Sequence, residues 1–163
     1  MIDRAFVTNV RLIHEYNCQV WSPAYLYLIN KIEWVQKSFT KLLNGLSDMS
    51  YSDRLIWLGA DSLATRRLKI DLVLFYDIIH DNIDVDLPQL DIVDPNVTHI
   101  HGHSLRFIKQ QCRINARRNS LACQNVKLWN SLPENVVWCQ SRATFKRFID
   151  ILDFFSKFLP SKC

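Results

Sequence analysis

SPAYLYLINKIEWVQKSFTKLLNG (22–45) decides the fold class. Its apolar residues Tyr25, Leu28, Ile32, Val35, Phe39 and Leu42 step alternately by three and four, a heptad seam along one side of a helix. Ser22 and Pro23 read as a helix start, with serine as the N-cap and proline in the first helical position. Gly45 reads as the stop. The expected helix covers 24–44, and Glu33 and Lys37 stand one turn apart on its other face in the favourable order.

Working outward, 9–16 reads as a short helix. Downstream, Ser50 and Asp53 form a variant of the capping box, opening a helix with Tyr51, Leu55 and Leu58 on one face and Gly59 at its end. Ser62 caps a longer helix running to about His80. Its second half is apolar almost all round, which means burial among other helices. The stretch 81–96 holds two prolines and five aspartates and reads as a linker. Beyond it the period changes to two. In 112–117 (CRINAR) small or apolar residues alternate with polar ones, the pattern of a half-buried strand. With 104–109 as its partner it would form a small antiparallel hairpin. A short helix is expected over 122–129, and a last one after Ser141 with a seam of Phe145, Phe148, Ile149, Leu152, Phe155 and Leu159. The expected fold is mainly α, a helical bundle with a small antiparallel β-hairpin in the second half. Its divisions are 1–82, an acidic linker at 83–94, and a basic module at 95–159.

Composition supports that class. At 163 residues the chain can bury a core, and only three glycines and five prolines argue for few tight turns. No apolar run is long enough to span a membrane, and the first residues lack the apolar core of a secretory signal. The five cysteines contain no Cys-x-x-Cys pair and no disulfide framework, so a reducing intracellular compartment is expected.

The net charge of +4 conceals a division. From Ile70 to Leu105 there are seven acids and no lysine or arginine; from Pro95 to Pro133 there are six bases and no acid. Those six, Arg106, Lys109, Arg113, Arg117, Arg118 and Lys127, are the candidate contacts to a polyanion. On a strand, Arg113 and Arg117 would share the polar face about 13 Å apart, and guanidinium groups offer phosphate a planar fork of donors. The competing reading is a solvated face neutralised by the acidic segment. Arg66 and Arg67 read as structural anchors of their helix.

Other chemistries find less support. His99, His101 and His103 alternate in THIHGHS (98–104) but lack a fixed fourth ligand, so no metal is assigned. Ser50, Ser62 and Ser141 are explained as caps, Cys18 as a buried thiol, and Trp21, Trp129 and Trp138 as core anchors. No glycine-rich phosphate loop exists, and no cofactor is expected.

Several segments, taken in order, resemble one family. They are EYNCQVWSP (15–23), WVQKSFTKLL (34–43), MSYSDRLIWLG (49–59), LATRRLKIDL (63–72), GHSLRFIKQQCRIN (102–115), VKLWNSLPENVV (126–137) and TFKRFID (144–150). This order is similar to the region just downstream of the polymerase core in non-LTR, LINE-type (jockey-like) retrotransposon reverse transcriptases. The likeness covers about 10–155. It implies thumb-end and post-thumb helices in the first half and a non-catalytic part of an RNA-directed DNA polymerase that contacts template or primer. The family's Tyr-x-Asp-Asp tetrad, which supplies carboxylates for two-metal chemistry, is absent; Tyr76-Asp77 is followed by two isoleucines. The resemblance also implies a stand-alone remnant of a longer reading frame, with Met1 an internal methionine. The alternative is an interaction or self-associating helical module with no nucleic-acid role.

Overall fold

Helix boundaries in this protein are set largely by side chains that seek out backbone groups left unpaired at helix ends. The computed structural model describes residues 6–21, 23, 25–80, 82–83, 103–108, 111, 113–114, 120–152 and 155. Among them the regular structure is helical. A π-helical turn, Phe6–Arg11, leads into α1 (Leu12–Glu15) and α2 (Cys18–Trp21). α3 (Leu26–Lys41), α4 (Tyr51–Leu58) and α5 (Leu63–Ile79) follow, then α6 (Leu121–Asn130), α7 (Glu134–Val137) and α8 (Arg142–Ile151). By packing, the chain separates into two compact units, one within Met1–Leu68 and one within Lys69–Phe158, and the division falls inside α5. The acidic segment 84–94 lies outside the described residues. Among those described, no helix is long and apolar enough to cross a membrane.

In the first unit the expected caps are in place. Ser50 Oγ accepts the Asp53 N–H at 3.2 Å and donates to the Asp53 carboxylate at 2.5 Å. Gly59 closes α4 in the left-handed region (φ 57°), so that the Ala60 N–H reaches back to the Leu55 carbonyl at 2.9 Å. Ser62 Oγ accepts the Thr65 N–H at 3.1 Å. Arg66 and Arg67 are structural, as expected. Arg66 forms a two-pronged pair with Glu15, and the buried Arg67 donates Nε–H to the Leu63 carbonyl at 3.1 Å.

The entry to α3 differs from the expectation. The helix starts at Leu26, after an extended Tyr25 that makes no side-chain cap, and Ser22 lies outside the described residues. Pro23 follows the end of α2 at Trp21, the place a proline takes when it cannot continue a helix. The expected seam is also not the inner face of α3. Tyr25 and Leu42 are exposed, Leu28, Ile32, Val35 and Phe39 are half-buried, and the fully buried positions are polar: Gln36 and Thr40. Both are hydrogen-bonded, which makes their burial tolerable. Gln36 Nε2 donates to the Asp61 carbonyl at 3.0 Å, and Thr40 Oγ1 to the Lys37 carbonyl at 3.2 Å.

Glu33 belongs to the same inward row. Its carboxylate accepts the N–H groups of Leu63 (3.2 Å) and Ala64 (3.1 Å), the first two residues of α5, and also the Tyr51 hydroxyl of α4. It is turned to these partners rather than along the helix to Lys37. One acidic side chain thus neutralises the positive end of one helix and fixes the start of another. Burial, followed by the bond to Glu33, holds the Tyr51 hydroxyl far above its ordinary titration range.

The second unit is built on aromatic rings. Phe75 meets Trp129 and Phe107 edge-on at 5.5 and 5.8 Å, while Tyr76 stacks on Phe145 at 4.3 Å. The Tyr76 hydroxyl donates to the Cys139 carbonyl at 2.6 Å. Asp77, 2% exposed, pairs with Arg142 at 3.2 Å. Lys69 bonds Asp150 at 3.0 Å with its ammonium 5.6 Å from the Phe155 ring centre. Ser141 caps α8 by accepting the Thr144 N–H at 3.2 Å. α8 ends at Ile151, short of the expected length, because Leu152 turns extended. Cys18 and Trp129 are buried as expected, but Trp21 and Trp138 are exposed. Each uses its indole N–H at the surface, Trp21 toward the Tyr16 carbonyl and Trp138 toward Glu134.

The Glu33 arrangement makes a direct prediction. Glu33→Gln keeps the shape but loses the charge, and should cost about 1–3 kcal/mol, measured by denaturant unfolding. Tyr51→Phe should cost less, about 0.5–1.5 kcal/mol. The double variant should show non-additive coupling, since the two groups bond directly. Additive losses would mean that the contact contributes nothing of its own.

Candidate nucleic-acid interface

The basic segment begins on a clasp. Glu134, the first residue of α7, accepts the backbone N–H of Ser104 at 2.8 Å and its hydroxyl at 2.7 Å. The Trp138 indole donates to the same carboxylate at 2.8 Å. These bonds, the Ser104 hydroxyl foremost, hold the Glu134 carboxyl below its usual range. One residue earlier, the buried His103 donates Nε2–H to the Trp129 carbonyl at 2.9 Å, with its ring edge-on to the indole at 6.0 Å. Burial lowers its pKa, so the imidazole is kept neutral.

The next residues are tied in turn. The Trp129 indole donates to the Leu105 carbonyl at 2.8 Å. Asn130 pairs with Phe107 on both sides of its backbone: the Phe107 N–H donates to Asn130 Oδ1 at 3.0 Å, and Asn130 Nδ2 donates to the Phe107 carbonyl at 2.8 Å. This is the two-bond exchange of a sheet ladder, made by a side-chain amide.

The expected hairpin is not seen among the described residues. No strand is present among the described residues; Phe107 carries an isolated bridge, and Arg113 and Ile114 lie in bends. Cys112 and 115–117 lie outside the described residues. Within 103–107 the Ser104 and Phe107 N–H groups and the Leu105 and Phe107 carbonyls bond to side chains of α6 and α7.

The six basic candidates fall into three groups. Arg113 is exposed, and Lys127 is exposed on α6. Arg106 is half-buried between the clasped Leu105 and Phe107 and is engaged within the fold, so it is less available to a ligand than the sequence implies. Lys109, Arg117 and Arg118 lie outside the described residues. Sequence reasoning passed over Lys146 and Arg147, consecutive exposed cations on α8 of the same unit. Their signal was present in TFKRF, where the buried Phe145 and Ile149 set the inner face and leave the two bases outside.

Of the three alternating histidines, His99 and His101 lie outside the described residues, and His103 is committed to a carbonyl. Among the described residues no three His, Cys, Asp or Glu side chains gather in a metal-holding group.

The two shifted groups predict a stepped acid response. The folded-state pKa of His103 lies below the ordinary imidazole value of 6.5. As pH falls through 6.5 the unfolded chain therefore takes up a proton that the folded chain refuses, and stability should decline from there downward. Glu134, also depressed, contributes stability that is present above the ordinary carboxyl value of 4.5 and lost as pH falls through its folded pKa. In His103→Gln the first decline should disappear while the second remains, read by urea unfolding across pH 7 to about 4. An unchanged upper step would assign it to another group.

The chain matches no protein-family model, no curated protein and no solved structure.

Proposed function

We propose that the chain is a non-catalytic C-terminal part of a retrotransposon RNA-directed DNA polymerase, contacting the template or primer backbone through its phosphates. The observation that carries this reading is the segregation of charge, with six bases and no acid over 95–133 and with Arg113 and Lys127 exposed. Lys146 and Arg147 extend the same unit's exposed positive charge. The ordered sequence landmarks support the family. Many of their residues build the fold: Glu15 pairs with Arg66, Gln36 with the Asp61 carbonyl, Arg54 with the Lys37 carbonyl, and Asn130 with Phe107. Residues far apart in the chain meet, as a pattern specifying one architecture requires. On this reading 104–109 and 112–117 form the small antiparallel hairpin of the basic module.

A second reading, self-association without a nucleic-acid role, draws on the first unit, where Tyr27, Trp34, Ile56 and Trp57 are all exposed. Large exposed apolar side chains in number mark interfaces or aggregation liabilities.

Binding to a mixed-sequence duplex, titrated with salt, tests the first reading. Affinity should fall steeply with salt, and replacing Arg113 and Lys127 together by alanine should flatten the log–log slope by about two units, alike for all sequences. Both side chains are exposed, so stability should stay within about 0.5 kcal/mol. Salt-indifferent or unaltered binding would return these residues to a solvated face. For the second reading, sedimentation of the wild type should show association that Trp34→Lys reduces without loss of helicity; a wild-type monomer at all concentrations removes that reading.

A further inference from the structure

α3 turns its polar row of Glu33, Gln36 and Thr40 inward. At 3.6 residues per turn the opposite side carries Tyr27, Lys31, Trp34, Ser38 and Lys41, spaced by fours and threes. Tyr27 is 61% and Trp34 65% exposed, and Lys31 and Lys41 are exposed beside them. Rings and ammonium groups therefore alternate along one outward stripe. Just before the helix the exposed Tyr25 places its ring 6.1 Å from that of Tyr27.

The fold leaves this stripe unused. Trp21, Trp129 and Trp138 each donate their indole N–H within the chain, whereas Trp34 has no hydrogen bond or ring contact among the described residues. Lys31, Lys37 and Lys41 are exposed and make no ion pair among the described residues. The one acid of α3, Glu33, is taken up by Tyr51 and the start of α5.

Charge decides what covers such a face. A second copy would set lysine against lysine. A membrane surface takes a continuous apolar face, and here lysine and serine separate the rings. A polyanion answers the lysines. One with unpaired bases answers the rings as well, because every base has a π-face that stacks on an aromatic side chain. In a duplex those faces are already stacked on one another.

We propose that the outer stripe of α3 binds single-stranded nucleic acid, with Tyr27 and Trp34 stacking on bases and Lys31 and Lys41 meeting phosphates. The site lies in the first unit and does not depend on the phosphate contacts assigned to the second.

The test uses the full chain, a short oligothymidylate, and an abasic strand of equal length that keeps the phosphates and lacks the bases. The oligothymidylate should bind at least about twentyfold more tightly, since each of two stacked bases is worth about fivefold or more. This comparison reads the rings on the wild type, without any substitution. Trp34→Leu, apolar but ringless, should cut the preference at least about fivefold, and Trp34→Phe should keep most of it. Circular dichroism should show unchanged helicity in both. Lys31→Ala with Lys41→Ala should lower the salt slope by about 1.4 units, at roughly 0.7 per phosphate of a single strand.

Equal affinity for the two strands, or a preference that Trp34→Leu leaves intact, would overturn the proposal. Binding to polyglutamate as tight as to the oligothymidylate would overturn it in favour of an acidic peptide. Binding to anionic phospholipid vesicles that requires Trp34 would assign the stripe to a membrane surface, and self-association through Trp34 that the oligothymidylate does not compete away would assign it to a second copy. Arg113→Ala with Lys127→Ala should weaken both strands alike and leave their ratio unchanged. A lost ratio with duplex binding intact thus fails this proposal alone, and lost duplex binding with the ratio intact fails the second unit's reading alone.

Discussion

The carboxylate of Glu33 is the constraint on which the first unit depends. A helix start leaves several N–H groups without partners, and α5 begins where no local serine or aspartate could satisfy them all. Ser62 takes the Thr65 N–H, and Glu33, thirty and thirty-one residues back in the chain, takes those of Leu63 and Ala64. Because the same carboxylate also receives the Tyr51 hydroxyl, α3 and the starts of α4 and α5 are tied at one point. Gln36 and Thr40 continue that row along α3, so the helix turns a polar face inward. Its burial is stabilised by hydrogen bonds to backbone rather than by apolar area alone.

What was legible in the sequence follows from how local the signal is. Ser50, Ser62 and Ser141 cap helices from three residues away, and Gly59 ends its helix with positive φ, so short windows were enough to read them; α3, by contrast, ends at Lys41, before the expected stop at Gly45. The apolar run of α5 was likewise self-announcing. The inward face of α3 was not, because an apolar seam outranks Glu33, Gln36 and Thr40 in any periodicity argument, while the partners that make those residues buriable lie far along the chain. Alternation over 112–117 marked the strand, and most of that stretch lies outside the described residues; in its expected partner, 104–109, Phe107 exchanges two hydrogen bonds with the Asn130 side chain.

The same contrast bears on the candidate site. Arg106 and His103 looked alike in sequence to Arg113 and Lys127, as polar residues in an acid-free stretch. Packing separates them: the first two are drawn into the second unit's fold, and the latter two remain in solvent. Charge counted along a chain is therefore an upper bound on charge offered to a ligand. On the proposed reading the bases that matter are those the aromatic core leaves outside, including Lys146 and Arg147.

Residues 103–107 are held almost one by one: His103 by the Trp129 carbonyl, Ser104 by Glu134, Leu105 by the Trp129 indole, and Phe107 by Asn130. A segment fastened at nearly every step has no slack. Adding or removing a single residue there would put every later side chain opposite the wrong fastening, whereas an ordinary surface loop absorbs such a change at small entropic cost. Length is thus fixed across these five positions as firmly as residue identity, and any variation in chain length has to be taken up outside them.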